Sequence, residues 1–205
     1  MQSVLDQGYP RLELVVADGG SGDGSREVIE RFSDSLTWWC SEPDKGQANA
    51  INKGFARTTG DIMAWLNSDD RLAPGALARA AAHLTKRPDV DVVYGHRILI
   101  DEEDRDIGRW VLAPHDGRAL RWVDYVPQET LFWRRDLWEK TGGALNERYH
   151  FALDWETGFR EMQALRERTL GYAPSPRRVG MAVVWYLLKA RFCESMWKIG
   201  VWPYE

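Results

Sequence analysis

Short apolar runs alternate with stretches of helical spacing through the first half of the chain. Leu12-Glu13-Leu14-Val15-Val16-Ala17 is mostly apolar and rich in β-branched residues, which predicts a strand. Asp18-Gly19-Gly20-Ser21-Gly22-Asp23-Gly24-Ser25 follows as a flexible turn into a helix with Val28, Ile29 and Phe32 on one face. Leu36-Thr37-Trp38-Trp39-Cys40 predicts a second short strand. After a loop over 41–46, the spacing predicts a helix over 47–55 with Ala48, Ile51 and Phe55 inward. Thr58-Thr59-Gly60-Asp61 turns the chain into Ile62-Met63-Ala64-Trp65-Leu66, a buried strand that ends in Asn67-Ser68-Asp69-Asp70. Pro74 then opens a helix carrying Leu77, Ala81 and Leu84, which stops at Arg87-Pro88, and Asp91-Val92-Val93-Tyr94-Gly95 is the next strand. Strand and helix in alternation argue for an α/β fold, a mostly parallel sheet with helices on its faces.

The remaining elements are predicted with less regularity. Residues 1–10 read as the end of a helix followed by a Gly/Pro turn, and 98–100 with 108–112 as a hairpin around an acidic turn. A short helix over 115–122, a strand-like run over 126–133 and a helix from Arg134 to Gly142-Gly143 follow. Asp154 stands at a helix N-cap, with Trp155, Phe159 and Met162 behind it at helical spacing. The last segment, 181–199, places Met181, Val184, Trp185, Leu188, Phe192, Met196 and Ile199 on one helical face. Its continuous apolar part is about half of the ~20 residues that a spanning helix needs. The segment fits an interfacial helix on an anionic membrane or a helix docked on protein.

Composition narrows this picture. At 205 residues, with 44% hydrophobic and 28% charged, the chain is expected to form a globular domain with a substantial core. The net charge of −4 is uneven: seven Lys or Arg and three Glu lie beyond residue 163, so the tail carries +4 and the rest −8. This argues against nucleic acid as a partner and suggests a division into 1–163 and a basic, aromatic helical tail, 164–205. Eleven Trp suit carbohydrate faces, membrane interfaces and large cores equally. Cys40 and Cys193 match no metal-ligand spacing and, without a signal peptide, predict reduced thiols in a cytoplasmic protein.

Candidate chemistry concentrates at strand ends. Adjacent Asp69 and Asp70 would repel unless a cation lay between them, so a divalent metal is one reading and an acidic turn capping the next helix is the other. Asp18 at a strand end could accept hydrogen bonds from a ribose or base, and Gly19 and its neighbours permit close backbone approach. The loop lacks the Lys of a P-loop and the spacing of a dinucleotide fingerprint. Asp154 would be held ionised by the helix dipole and free amides, in a cap or in chemistry. The acidic run over 101–106 suits a solvated turn, and His96, His115 and His150 have no ligand spacing.

Four ordered stretches resemble the family 2 inverting glycosyltransferases. They are Ser3-Val4-Leu5-Asp6-Gln7-Gly8-Tyr9-Pro10 with Leu14-Val15-Val16-Ala17-Asp18-Gly19-Gly20-Ser21-Gly22-Asp23-Gly24; Asp44-Lys45-Gly46-Gln47-Ala48-Asn49-Ala50-Ile51-Asn52-Lys53-Gly54; Asn67-Ser68-Asp69-Asp70; and Gln128 through Arg135 leading to Asp154-Trp155-Glu156. The resemblance implies a GT-A (Rossmann-like) three-layer sandwich, to which the C-terminal amphipathic helical tail is added. It implies a nucleoside-diphosphate sugar as donor, with Asp18, Gly19, Ser21, Lys45, Gly46, Asn49, Asp69 and Asp70 toward the donor. Asp69 and Asp70 would hold Mn2+ or Mg2+, Asp154 would be the catalytic base, and Gln128, Glu129 and Trp155 would lie on the acceptor side. Asn67 stands where many members carry the first Asp of an Asp-X-Asp motif.

Two departures from the family pattern carry expectations of their own. The chain is expected to lack the first strand-loop unit, with its Pro-Thr-Tyr-Asn-like motif, and to run from Met162 directly into the basic tail. The expected function is inverting, metal-dependent sugar transfer to a glycan or lipid-linked hydroxyl acceptor, in surface polysaccharide or glycolipid synthesis. Peripheral membrane contact through 179–202 would place it at the inner face of the membrane. A non-catalytic nucleotide- or glycan-binding protein on the same scaffold is the alternative. A nucleotidyltransferase lacks the Gly-rich, Lys/Arg-bearing loop it would need.

Overall fold

The fold is described from a computed structural model, for residues 1–113, 115, 116, 122, 123, 125–148, 181–187 and 198–202. Asp154, Trp155 and His150 lie outside the described residues, as does most of the helix expected over 115–122. In chain order the elements are α1 Gln2–Leu5, β1 Leu12–Asp18, α2 Ser25–Phe32, β2 Trp38–Ser41, α3 Gln47–Phe55, β3 Ile62–Asn67 and α4 Ala76–Lys86. There follow β4 Val92–Val93, β5 His96–Ile100, β6 Asp106–Trp110, β7 Phe132–Arg134, α5 Arg135–Lys140, β8 Met181–Leu187 and β9 Lys198–Trp202. The expected order of strands and helices is present as far as α4, and the hairpin around 101–106 is β5–β6.

The main sheet has the order β2-β1-β8-β3-β7-β4. Its first four strands run parallel, and β7 runs antiparallel to β3 and β4. The alternation of side chains along β3 divides the interior in two. Ile62, Ala64 and Leu66 face a cluster with Val4 of α1, Ile29 of α2 and Leu77, Ala81 and Leu84 of α4. Met63 and Trp65 face the other way, toward Ala48, Ile51 and Phe55 of α3 and Leu137 and Trp138 of α5. Helices therefore cover both faces, which is the three-layer arrangement. Three Trp are core residues here: Trp133 is fully buried and meets Phe55, Trp65 and Trp138 with ring centroids 5.7, 5.4 and 6.1 Å away. Rings at these separations add to the burial of a large apolar area.

Arg134 and Arg135 fasten this core rather than exposing charge. Arg134 donates to the carbonyls of Leu84, Arg87 and Val90, tying the end of α4 and the turn after it to β7. Arg135 donates to Gly60 O at 2.8 Å and Thr58 Oγ1 at 2.9 Å, fixing the turn that enters β3.

Two expectations are corrected. The strand-like run over 126–133 is a 3-10 turn at Gln128–Thr130 followed by a strand only at Phe132–Arg134. Pro127 cannot donate to a ladder, and Thr130 turns its hydroxyl back to Pro127 O at 2.8 Å. The described ends of the stretch expected as a helix over 181–199 are strands, β8 in the main sheet and β9 on β5; 188–197 lie outside the described residues. Met-Ala-Val-Val-Trp-Tyr-Leu is an apolar run, and a strand buried on both faces has no alternation to separate it from a helix. Among the described residues no helix is long and apolar enough to cross a membrane.

β8 pairs with β1 on one side and β3 on the other, so its backbone carries the middle of the sheet. Replacing Val184 by Pro removes a ladder donor between Val15 and Trp65 and is expected to cost about 3 kcal/mol or more. Urea unfolding followed by circular dichroism measures the loss; an unchanged midpoint would place 181–187 outside the sheet.

Candidate active site

Parallel pairing brings polar strand ends to one edge. Asp18 ends β1 level with Ser41 of β2 and Leu187 of β8, and Asn67 ends β3 level with Tyr186. In an open α/β sheet the carboxyl edge is where ligands bind. The sequence-predicted Asp18, Gly19, Ser21, Asp69 and Asp70 all belong to the strand ends or loops on this edge.

Asp18 is 2% exposed. Its Oδ1 accepts the Ser21 hydroxyl at 2.5 Å, and its Oδ2 accepts the Ser21 amide at 3.0 Å and the Ser41 hydroxyl at 2.6 Å. The carboxylate therefore shapes the Gly19-Gly20-Ser21 turn and ties it to β2. Gly20, at φ +76°, adopts a conformation open to glycine and strained for other residues, and Pro43 N lies 3.2 Å from where its Cβ would be.

Asn67 is the centre of a directed chain of amides. Gln47 of α3 donates to Asn67 Oδ1 at 2.9 Å, Asn67 Nδ2 donates to Gln128 Oε1 at 3.3 Å, and Gln128 Nε2 donates to Trp65 O at 2.7 Å. An Asp at this position would have no N–H for Gln128. Asn in place of the family carboxylate thus fits a structural link between α3, β3 and the Gln128–Thr130 turn. The Asp70 amide closes the following turn on Asn67 O at 3.2 Å.

The carboxylates beyond Asn67 lie in an excess of buried negative charge. Asp70 is 8% exposed, and burial, Glu129 and Asp69 together push its carboxyl up to about 8, against the opposing effects of Arg97 and a hydrogen bond from Asn67. Arg97 of β5 pairs with Glu129 at 3.1 Å and lies 4.3 Å over the Trp110 ring, so it brings the second sheet into contact with the site. Asp69 Oδ1 is buried with no hydrogen-bond partner among the described residues. An orphaned carboxylate oxygen beside a carboxyl kept protonated by its neighbours fits a bound cation. No three His, Cys, Asp or Glu side chains among the described residues could hold a metal ion by themselves. The fit is therefore with an ion shared between Asp69, Asp70 and ligand oxygens.

The remaining predicted residues border this edge. Lys45 is exposed, and Gly46 starts α3 and donates to Asp44 Oδ1 at 2.9 Å. Asn49 and Asn52 both donate to Glu147, at 3.0 and 3.2 Å, and Asn52 also brackets Leu145, so α3 holds the loop after α5. Gln128 and Glu129 are buried, Gln128 within the amide chain and Glu129 beside Arg97. His96 accepts the Leu112 amide at 2.9 Å, and His115 meets Tyr94 and Tyr125, so both have ordinary partners. Sequence reasoning missed Arg97 and Asp44. A lone Arg in a short strand carries no signal, whereas Asp44 stands in a quoted motif without an assigned role.

The Asp70 shift has a definite sign. The folded chain keeps a proton that the unfolded chain releases above 3.8, so this contribution to stability is full below 3.8 and is lost as pH rises through about 8. Asp70→Asn is expected to flatten that decline and to melt about 3 °C or more above the native protein at pH 8 in a chelator. Millimolar magnesium should raise the native melting temperature and leave that of the variant nearly unmoved. Thermal melts from pH 5 to 8.5 test this; parallel curves for the two proteins would overturn it.

Comparison with known proteins identifies the family and agrees with the fold. The model of the family "Glycosyl transferase family 2" matches residues 1–159. An uncharacterized glycosyltransferase of Mycobacterium tuberculosis is 32% identical over 149 residues, covering 70% of this chain and 55% of the relative. A PGL/p-HBAD biosynthesis glycosyltransferase of Mycobacterium bovis is 30% identical over 164 residues, covering 78% and 62%. This chain thus spans little more than half the length of these relatives. The crystal structure of Staphylococcus aureus TarS 1-349 in complex with UDP superposes with a TM-score of 0.59 at 19% identity, over 89% of this chain and 55% of that one. The fold, the ordered motifs and the match across three quarters of its length establish that this chain belongs to glycosyl transferase family 2.

Proposed function

We propose that the protein is an inverting, metal-dependent glycosyltransferase that moves a sugar from a nucleoside-diphosphate sugar to a hydroxyl of a glycan or lipid-linked acceptor. The observation that carries this reading is the convergence of the Asp18 turn, the Asp44–Gly46 loop and the Asp69-Asp70 pair on one carboxyl edge. Family membership supports sugar transfer, and UDP in the TarS complex supports a nucleotide sugar as donor.

In this reading Gly19 and Ser21 line the nucleoside with a backbone held by Asp18, and Lys45, Gly46 and Asn49 approach the donor from α3. Asp69 and Asp70 hold a magnesium or manganese ion, which when bound acts as a Lewis acid toward the leaving diphosphate. Gln128, Glu129 and Trp155 border the acceptor. Asp154 takes the proton from the acceptor hydroxyl as that oxygen attacks the anomeric carbon from the face opposite the diphosphate, which inverts the centre. A single displacement needs no enzyme nucleophile, and no residue in the quoted motifs is assigned to one.

Residues 181–187 and 198–202 are committed to the two sheets, and the stretch between them, 188–197, combines Lys189 and Arg191 with Phe192 and Trp197, a composition that suits contact with an anionic membrane at the cytoplasmic face, where a lipid-linked acceptor would be met. The name of the Mycobacterium bovis relative, a glycosyltransferase of PGL/p-HBAD biosynthesis, supports glycolipid or polysaccharide synthesis as the setting.

Incubation with UDP-, GDP- and dTDP-sugars and manganese is expected to give donor hydrolysis or transfer, and Asp154→Asn should lower the rate about 100-fold or more. A native protein no more active than that variant would overturn the enzyme reading, and nucleotide binding without turnover would favour a binding protein on this scaffold. For membrane contact, Lys189→Glu with Arg191→Glu should reduce flotation with anionic liposomes. Equal flotation of variant and native chains would remove the membrane from the proposal.

A further inference from the structure

Tyr94, His115 and Tyr125 form a cluster to which the proposed reaction gives no role. The imidazole ring packs 6.0 Å from the Tyr94 ring and 6.4 Å from the Tyr125 ring, centroid to centroid. Both hydroxyls meet the same nitrogen, Nδ1 of His115, at 2.9 Å from Tyr94 and 3.2 Å from Tyr125. The Tyr125 hydroxyl also accepts the Asp116 amide at 2.9 Å and lies 3.2 Å from Asp116 O. Burial first and Tyr125 second push the Tyr94 hydroxyl well above the usual phenol range, so it keeps its proton. Nδ1 is thus committed inside the cluster in either tautomer, while Nε2 has no hydrogen-bond partner among the described residues.

The cluster stands at the carboxyl edge of the main sheet. β4 is antiparallel to β7, and β7 to β3, so β4 runs with β3 and Tyr94 directly follows its last residue. The next amide, that of Gly95, donates to Thr130 Oγ1 at 3.1 Å, and Thr130 adjoins Glu129. The Leu112 amide donates to His96 Nδ1 at 2.9 Å, which lays the chain leading to His115 along the start of β5. Every exposed large apolar side chain among the described residues lies on the chain around this cluster: Ile107, Trp110 and Val111 before His115, and Trp122 and Val123 before Tyr125. Trp122 is 83% exposed. Exposed apolar groups gathered on one stretch of chain mark a binding surface.

We propose that His115 Nε2 hydrogen-bonds a hydroxyl of an uncharged glycoside acceptor and so orients it at the carboxyl edge. This rests on the hydroxyl-acceptor reading of the site. A sugar hydroxyl both donates and accepts, so it satisfies Nε2 whichever ring nitrogen carries the proton. The bonds of Tyr94 and Tyr125 to Nδ1 hold the imidazole in place, and a partner at one ring nitrogen sets what the other offers to a ligand. The C–H face of a sugar, or an apolar aglycone, suits the exposed Trp and Val side chains on the same stretch. A negatively charged acceptor is disfavoured, because the adjoining hairpin turn over 101–106 is strongly acidic.

Calorimetric titration of the full chain, saturated with UDP and magnesium, with octyl β-D-glucoside, octyl β-D-galactoside and octyl α-D-mannoside tests this. At least one of these is expected to bind the native protein, and two substitutions separate ligand contact from support of the cluster. His115→Asn keeps a polar group near the place of Nδ1 for Tyr94 and removes the outward one, so it should weaken that glycoside about tenfold. His115→Gln loses the inner group and sets an amide near the place of Nε2. It should bind within about twofold of native and melt about 2–4 °C lower. In transfer assays His115→Asn should raise the KM of the glycoside about tenfold and leave that of the donor as in the native protein. The reverse order, with the Gln variant weakened and the Asn variant native-like, overturns the proposal, since His115 would then serve only to hold Tyr94. Equal weakening or unaltered binding in both variants also overturns it, as does a native protein that binds none of the glycosides. Binding that depends on His115 without any transfer would support the contact and overturn the catalytic reading; transfer with an unaltered glycoside KM in His115→Asn would overturn the contact alone.

Discussion

The parallel pairing of β8 with β1 and with β3 is the constraint on which the polar edge depends. Met181 is aligned with Leu12 and with Ile62, and this common register continues until Leu187 meets Asp18 and Tyr186 meets Asn67. Because the three strands share one direction and one register, their carboxyl ends finish at the same level. Loops rich in Gly, Ser and Asp can then meet there while apolar side chains fill both faces below. A shift of one residue in either pairing would turn every side chain of a strand to the opposite helix layer. The geometry of the candidate site is thus a consequence of backbone pairing that begins at Met181, at the opposite end of the strands.

Above that framework, the site is governed by how buried polar groups are matched. Asn67 is matched on both sides by Gln47 and Gln128, and Asp18 by two serines. These groups are satisfied and act as architecture. Asp44 and Asp69 each retain a buried oxygen without a donor among the described residues, and Asp70 lies among negative charge that Arg97 only partly offsets. Fixed geometry around unmatched acceptors is what a site for a ligand with donors and a cation requires. The contrast between matched and unmatched carboxylates runs across the Asp18, Asp44 and Asn67–Asp70 motifs.

Family membership and fold agree, while the chain aligns with little more than half of its relatives' length. The region matched by the family model, 1–159, contains the Asp18 turn, the Asp44–Gly46 loop and the Asp69-Asp70 pair. The strands of the second sheet contribute through Arg97, which links Glu129 to the ring of Trp110 and connects the carboxyl edge to the neighbouring hairpin. Glu129 and Arg97 thereby act electrostatically, in opposite senses, on the Asp70 carboxyl.

Much was determined by the sequence itself. Alternation of short apolar runs with helical spacing identified β1, β3, α2, α3 and α4, because burial of one helix face or of a whole parallel strand leaves a period that can be read locally. The Asp18 turn and the Asn67-Ser68-Asp69-Asp70 strand end were equally legible, since Gly and Asp at strand ends have few other uses. Only the tertiary structure decided that 181–187 is a strand at the centre of the sheet, because an apolar run without alternation fits helix and buried strand alike, and its partners are far away in sequence. Long-range hydrogen bonding likewise made Asn67 an amide link and closed Asp18 with Ser41, while packing buried Asp44 Oδ2 against Gly19. Residue type announces what a side chain can do; which of its bonds are already spent depends on neighbours that the fold brings from elsewhere in the chain.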